Sequence, residues 1–237
     1  MKRQPSSWLE GLFQLPPFAT RRRVGSGSLA SSMQLPRSLR VTPTSSLTHV
    51  FDVDERIGHA TSSDTLKGMF FQRIVEIARQ AGVRVEQVLE GHPGPRRYQP
   101  FFDYPVADYF RLVAAAARAL HPSAPISEAI RRTGGADFER FAESAVGRVM
   151  LAFGGSARAA LARSGTMYGA VLKGSSKVES EATADGVRIR YRDYPGLAEV
   201  YPIGTIEGCC RYFRADYVID IDVLSARDAD YIVRLKD

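Results

Sequence analysis

The period of the apolar residues changes once along this 237-residue chain, and that change restricts the fold more than any other feature. Up to Gly174 apolar positions recur every three to four residues, as on a helix face. After it they alternate, as on a strand with one buried side. In the first regime, ATSSDTLKGMFFQRIVEIARQAG puts Leu66, Met69, Phe70, Ile74, Ile77 and Ala81 on one helical side, with Ser62 or Ser63 as the cap and Gly82 as the stop. A short helix follows over 83–89. Pro105 suits the start of VADYFRLVAAAARAL, whose alanines allow close helix contact. ISEAIRRTG, ADFERFAESAVGRVMLAFG and SARAALARSG read as three further helices.

In the second regime, KVESEAT and VRIRYR flank an Asp185-Gly186 turn and form a hairpin, with Val187, Ile189 and Tyr191 on one face. A helix from Pro202 turns Ile203, Ile206, Cys210 and Phe213 inward, and YVIDIDV with DYIVRLK makes a second hairpin. The outward rows read Glu179/Glu181, Arg188/Arg190/Arg192, Asp220/Asp222 and Arg234/Lys236. Their signs alternate strand by strand, as cross-strand pairing on a solvated face prefers. The expected fold class is α+β: a single domain over 54–237, helical over 54–174, then a ββαββ unit with a four-stranded antiparallel sheet over 175–237.

The formal charge of +6 is confined to one end. Residues 1–45 hold Lys2, Arg3, Arg21, Arg22, Arg23, Arg37 and Arg40 against Glu10 alone, leaving 25 basic and 25 acidic residues elsewhere. A neutral body gives no reason to expect a nucleic-acid partner. The Ser/Pro/Arg-rich segment 1–50 lacks any sustained period and is expected to be disordered, so that deleting 1–45 leaves the melting temperature unchanged. Its TRRR run reads as solvated charge, as a weak anchor for an acidic partner or surface, or as sequence ahead of a start at Met33. Glu10, Gln14 and Pro16-Pro17 interrupt the only candidate for a secretory signal, and nothing approaches the roughly 20 apolar residues of a membrane span. Cys209 and Cys210 are chain neighbours, too close for a relaxed disulfide; read as reduced thiols, they point to the cytoplasm.

Chemistry-bearing motifs are sparse. His49, His59, His92 and His121 show no metal-ligand spacing, and the short acidic motifs FDVDE (Asp52, Asp54, Glu55) and DID (Asp220, Asp222) lack a fixed loop, so no metal is expected. Glu207 with Arg211 four residues on reads as a helical ion pair, or else as a carboxylate facing a cavity between helix and sheet. Gly154-Gly155 precede a helix without the Lys-Ser/Thr of a phosphate loop. No nucleophile–base pair or carboxylate dyad appears, so the chain reads as non-enzymatic.

DERIGHATSSDTLKGMFFQRIVEIARQAG, FFDYPVADYFRLVAAAARAL, EAIRRTGGADFERFAESAVGRVML and YPIGTIEGCC together resemble the domain of unknown function family 2378, a paralogous family expanded in myxobacteria, over about residues 54–237. More distantly, LKGMFFQRIVEIA, the helical middle and GVRIRYRDYPG…GTIEG are similar to the heme nitric-oxide/oxygen-binding domain. That family holds heme with a helix-borne His and a Tyr-x-Ser-x-Arg clamp on the propionates. At the clamp positions this chain has Tyr191, Asp193 and Pro195, and it has no His between Pro122 and Asp237. Asp would repel a propionate and Pro offers no donor. Met150, Met167 and Tyr168 are the conceivable axial ligands and read more simply as packing residues.

The resemblance therefore implies a heme-NO-binding-like scaffold with no cofactor: a sensory or regulatory module whose pocket is collapsed or takes a small apolar or anionic ligand. Its expected pocket residues are Phe70, Phe71, Phe110, Tyr191, Arg192, Asp193 and Glu207. The alternative is a protein-interaction scaffold presenting Arg96, Arg97, Tyr98, Phe101 and Phe102 to a partner. A homodimer is compatible with these helices, though no residue argues for one.

Overall fold

The structure, a computed structural model, describes residues 38–89 and 97–236. In chain order the elements are β1 (Ser38–Val41), α1 (Val53–Gly58), β2 (Thr65–Lys67), α2 (Gly68–Gln80), α3 (Val85–Val88), β3 (Asp103–Pro105), α4 (Val106–Leu120) and α5 (Ile126–Glu143). There follow α6 (Ala145–Ala152), α7 (Ala157–Ala162), α8 (Ser164–Val171), β4 (Leu172–Lys173), β5 (Lys177–Thr183), β6 (Gly186–Arg192), α9 (Tyr201–Tyr212), β7 (Asp216–Val223) and β8 (Ala229–Lys236). The fold is α+β, as the change of period implies.

The main sheet has five strands rather than four, in the order β1-β7-β8-β6-β5, all antiparallel. The second hairpin enters with β8, not β7, beside β6, so the arginine row of β6 is met differently from the strand-by-strand reading. Arg192 reaches Asp230 at 2.5 Å, while Arg190 and Arg188 reach Glu181 at 2.9 and 3.4 Å. Asp220 is held from both sides, by Arg234 and by Arg40, the latter at 3.3 Å.

The fifth strand corrects the expectation for segment 1–50. Residues 38–41 pair with 219–222, Val41 is fully buried, the Ser45 carbonyl accepts Arg131 Nη1 at 2.6 Å, and the Leu47 amide donates to Glu128 Oε2 at 3.0 Å. A four-residue strand is too short to show its period among Ser and Pro residues; it is fixed by the edge that β7 offers. Residues 1–37 lie outside the described region. A second small sheet, β3-β2-β4, lies in the part expected to hold helices and loops only.

Two helix boundaries also move. Helix α2 starts after Lys67, not at Ser62 or Ser63, because β2 occupies the intervening residues and the loop satisfies the first amides: Gly68 N donates to Phe102 O at 2.8 Å and Met69 N to Pro100 O at 2.9 Å. Asp64, fully buried, closes the preceding turn by accepting from the Thr61 amide and hydroxyl at 2.7 and 2.9 Å. The Gly134-Gly135 pair does not end a helix; α5 runs through it to Glu143. The pair is instead where α9 comes close: a Cβ on Gly204 would lie 1.8 Å from Arg131 O, and one on Gly134 2.7 Å from Tyr201 O. Ser144 makes the break by accepting the Gly147 amide at 2.9 Å and capping α6.

Candidate functional site

Helices α2, α4, α5 and α9, the α6–α8 segment and strand β6 enclose a cavity of about 190 Å³. Most of its wall is aliphatic and aromatic, from Phe70 and Met69 on α2, Phe110 on α4, Phe138 and Phe141 on α5, Met150 and Leu151 on α6, Met167 and Val171 on α8, and Ile189 and Tyr191 on β6. Cys209 adds a thiol whose pKa burial pushes well up, so it presents an inert apolar surface. Val146 and Met150 belong both to this wall and to the exposed surface, which puts the mouth at α6.

Two polar clusters break the apolar lining. At the first, Asp137 of α5 accepts from Arg73 Nε at 3.0 Å and Nη2 at 3.2 Å, and Tyr201 Oη donates to its Oδ2 at 2.7 Å. Tyr109 Oη lies 2.5 Å from Tyr201 Oη and 3.1 Å from the same carboxylate oxygen. With Tyr201 donating to Asp137, Tyr109 donates within the cluster and its oxygen lone pairs are left to accept. Burial comes first in raising both phenols, and the adjacent carboxylate raises them further, so both stay protonated. Desolvation works against the charge on Arg73, but Asp137 more than offsets it and the guanidinium pKa is raised. Its Cζ also sits 4.4 Å over the Phe70 ring.

At the second cluster the rings of Tyr168, Tyr191 and Tyr194 meet edge to face, with Tyr191 and Tyr194 centroids 5.1 Å apart. Burial raises the Tyr168 phenol, against hydrogen bonds to Tyr194, Tyr191 and Thr205 that lower it, and the net shift is upward.

The loop between β6 and α9 aims Tyr194 and Tyr201 at the cavity by adopting left-handed backbone at Asp193 (φ 50°), Gly196 (φ 141°) and Leu197 (φ 54°). Such a conformation in a non-glycine residue costs of order 1–3 kcal/mol and persists only where the surroundings impose it. Here Tyr231 Oη donates to Ala198 O at 2.5 Å and Arg56 holds the buried Glu199 at 3.0 Å.

Of the seven residues expected at a pocket, Phe70, Phe110 and Tyr191 line the cavity and four do not. Phe71 is fully buried beside it, stacked on Tyr98 at 4.4 Å. Arg192 is bound to Asp230 outside the cavity, and Asp193 faces solvent near Arg227. Glu207 is buried but faces α5: Arg131 grips it with two bonds of 2.6 and 2.8 Å and Tyr217 donates at 2.9 Å. Nor does Glu207 pair with Arg211, which reaches Glu139 at 3.0 Å. Among the residues expected to meet a partner, Phe101, Phe102 and Arg97 are exposed, Tyr98 is buried, and Arg96 lies outside the described residues. The Arg73–Asp137–Tyr109–Tyr201 cluster escaped the sequence reading, because its members come from four helices and share no local motif. Among the described residues no three His, Cys, Asp or Glu are grouped to hold a metal, and no helix is long and apolar enough to cross a membrane.

Solved structures with the same fold are H-NOX proteins. One from S. oneidensis, in the Fe(II)NO ligation state, aligns with a TM-score of 0.57 at 18% identity, over 73% of this chain and 100% of that one. One from K. algicida, Fe(II) unliganded, aligns with a TM-score of 0.55 at 13% identity, over 73% and 97%. A mutant of the T. tengcongensis protein gives 0.53 at 16% identity, over 71% and 96%. At these identities the likeness is one of fold. No curated protein matches. Over residues 59–234 the sequence matches the model described as Protein of unknown function (DUF2378), and the chain belongs to that family.

Proposed function

We propose that this domain is a heme-free, non-enzymatic sensory module that binds a small, mainly apolar molecule in the cavity, with Tyr109 accepting one hydrogen bond from it. The observation that carries this is the cavity: apolar walls broken by two polar clusters, of which the one at Asp137 is internally satisfied, the arrangement that orients a ligand without reacting with it. Its volume of about 190 Å³ sets the ligand size. An engineered apolar cavity of about 150 Å³ holds benzene, whereas sites for drug-sized ligands run to about 300–1,000 Å³.

Heme does not fit this donor set. Asp193 is solvent-facing and anionic, Pro195 has no N–H, Arg192 is engaged by Asp230, and the cavity offers Met150, Met167 and Tyr168 in place of an imidazole. Two buried free thiols support a reducing, cytoplasmic setting.

The test uses indole and its hydrocarbon isostere indene. Indole, with an N–H to donate, is expected to raise the melting temperature more than indene. Tyr109→Phe should remove the difference, and Val171→Phe, which fills the cavity, should remove both shifts. Equal shifts in all three proteins, or a stoichiometric Soret band after expression with a heme precursor, would refute the reading.

One observation favours a second reading, a protein contact: Phe101 and Phe102 are 76% and 67% exposed side by side, on a loop anchored by Lys67 Nζ donating to Phe101 O at 3.0 Å.

A further inference from the structure

Helix α6 is built the wrong way round for a surface helix. Val146, Val149, Met150 and Phe153, the last just past its end, lie at i, i+3, i+4 and i+7, so they form one stripe. They are 44%, 58%, 37% and 75% exposed. The helix rests chiefly on α5 through its other side, where Gly147 and Leu151 are buried; Val146 and Met150 edge the cavity, and Val149 and Phe153 stand outside it as an exposed ridge.

Within the segment that carries the ridge the charges have one sign, with Glu143 and Glu179 lying just outside it. From Ser144 to Val178 the chain carries Arg148, Arg158, Arg163, Lys173 and Lys177 and no Asp or Glu, although the body as a whole is neutral. Lys173 is engaged by Asp103. The three arginines instead donate to backbone carbonyls: Arg148 to Glu143 O at 2.8 Å, Arg158 to Ala184 O at 2.5 Å, and Arg163 to Phe153 O at 2.6 Å. Among the described residues none of them forms an ion pair, so their positive charge is not neutralised by a carboxylate. Arg163 is thereby held beside the most exposed residue of the stripe.

We propose that this face docks on an anionic lipid bilayer, with Val149 and Phe153 entering the headgroup boundary and the arginines meeting lipid phosphates. An apolar helix face flanked by cations is what an interfacial helix presents, and stable attachment takes a second signal. The six basic residues of 1–37, against Glu10 alone, supply one; Arg40 is already paired with Asp220. Because Val146 and Met150 belong both to the stripe and to the cavity wall, a bilayer-bound domain has its cavity mouth at the apolar boundary. The docking itself does not depend on what the cavity holds.

The experiment is flotation of the full-length protein with vesicles of phosphatidylcholine alone or with about 30% phosphatidylglycerol, a fraction chosen to resemble an anionic leaflet. Binding is expected to the anionic vesicles only and to fall as salt is raised. Val149→Ser/Phe153→Ser, on the solvent side of α6, should weaken binding at least tenfold while the melting temperature holds. Each of Arg148→Gln and Arg163→Gln should cost about fivefold. No binding to anionic vesicles overturns the proposal and returns the ridge to a protein partner. Undiminished binding of the double serine variant overturns it too, because the basic N-terminal region would then suffice alone.

Discussion

Replacing Asp137 by Asn keeps the shape of the cavity wall and removes the charge that the polar cluster is built around. Asp137 is 3% exposed and the side chain of its partner Arg73 is 12% exposed, so water cannot take over the lost pairing. The carboxylate accepts four bonds of 2.7–3.2 Å, two from Arg73 and one each from Tyr201 and Tyr109. An asparagine can turn its oxygen to Arg73 Nε, but its NH2 then faces Arg73 Nη2, which has no lone pair with which to accept. Breaking a buried ion pair from one side costs about 3–5 kcal/mol, because the remaining charge stays desolvated. The stacking of Arg73 over Phe70 is worth about 2 kcal/mol and exists already, so it offsets none of that loss. For a domain of this size each kcal/mol moves the melting temperature by about 2–4 °C, so Asp137→Asn should lower it by about 6–20 °C. The denaturant midpoint should fall at constant slope in urea. Adding Arg73→Met removes the stranded cation, and the double variant should be more stable than Asp137→Asn alone. A loss below about 1 kcal/mol, or a double variant less stable than the single, would show that the pair is hydrated and that the closed polar cluster is misread.

Two further outcomes test the frame around the site. A chain beginning at residue 46 should be less stable in urea than one beginning at residue 38, by about 3–6 kcal/mol. It loses the buried Val41 side chain and the bond from Arg131 to Ser45 O, and equal midpoints would remove β1 from the folded core. Burial pushes Glu128 up, but the Leu47 amide, Arg132 and Arg131 more than offset it and leave its pKa lowered. Its contribution is therefore present above the unfolded-state value near 4.5 and lost as pH falls through the lower folded value. Glu128→Gln should cost about 1.5–3 kcal/mol at pH 7, with a gap that closes towards pH 3, and a gap independent of pH would refute the assignment.

What could be read from the residues was whatever has a short repeat. The 3.6-residue period located α2, α4 and α9, the alternation after Gly174 located β5–β8, and charges on successive strands announced a solvated sheet face. Phe70, Phe110 and Tyr191, named through the resemblance to the heme-binding family, do line the cavity, whereas Phe71, named with them, lies beside it. Glu207 was not legible: its helix registers a plausible i+4 partner in Arg211, yet the tight α5–α9 approach over Gly134 and Gly204 delivers Arg131 instead.

The chain by itself determined the α+β class, the order of its long elements and the neutrality of its body, since these follow from local spacing and composition. Only tertiary structure decided that β1 joins the sheet, that β8 and not β7 lies against β6, and that Asp137, Arg73, Tyr109 and Tyr201 share one cluster. The physical reason is common to all three. Each depends on a partner far away in sequence, whose hydrogen bonds and burial outweigh any local preference and leave no periodic trace.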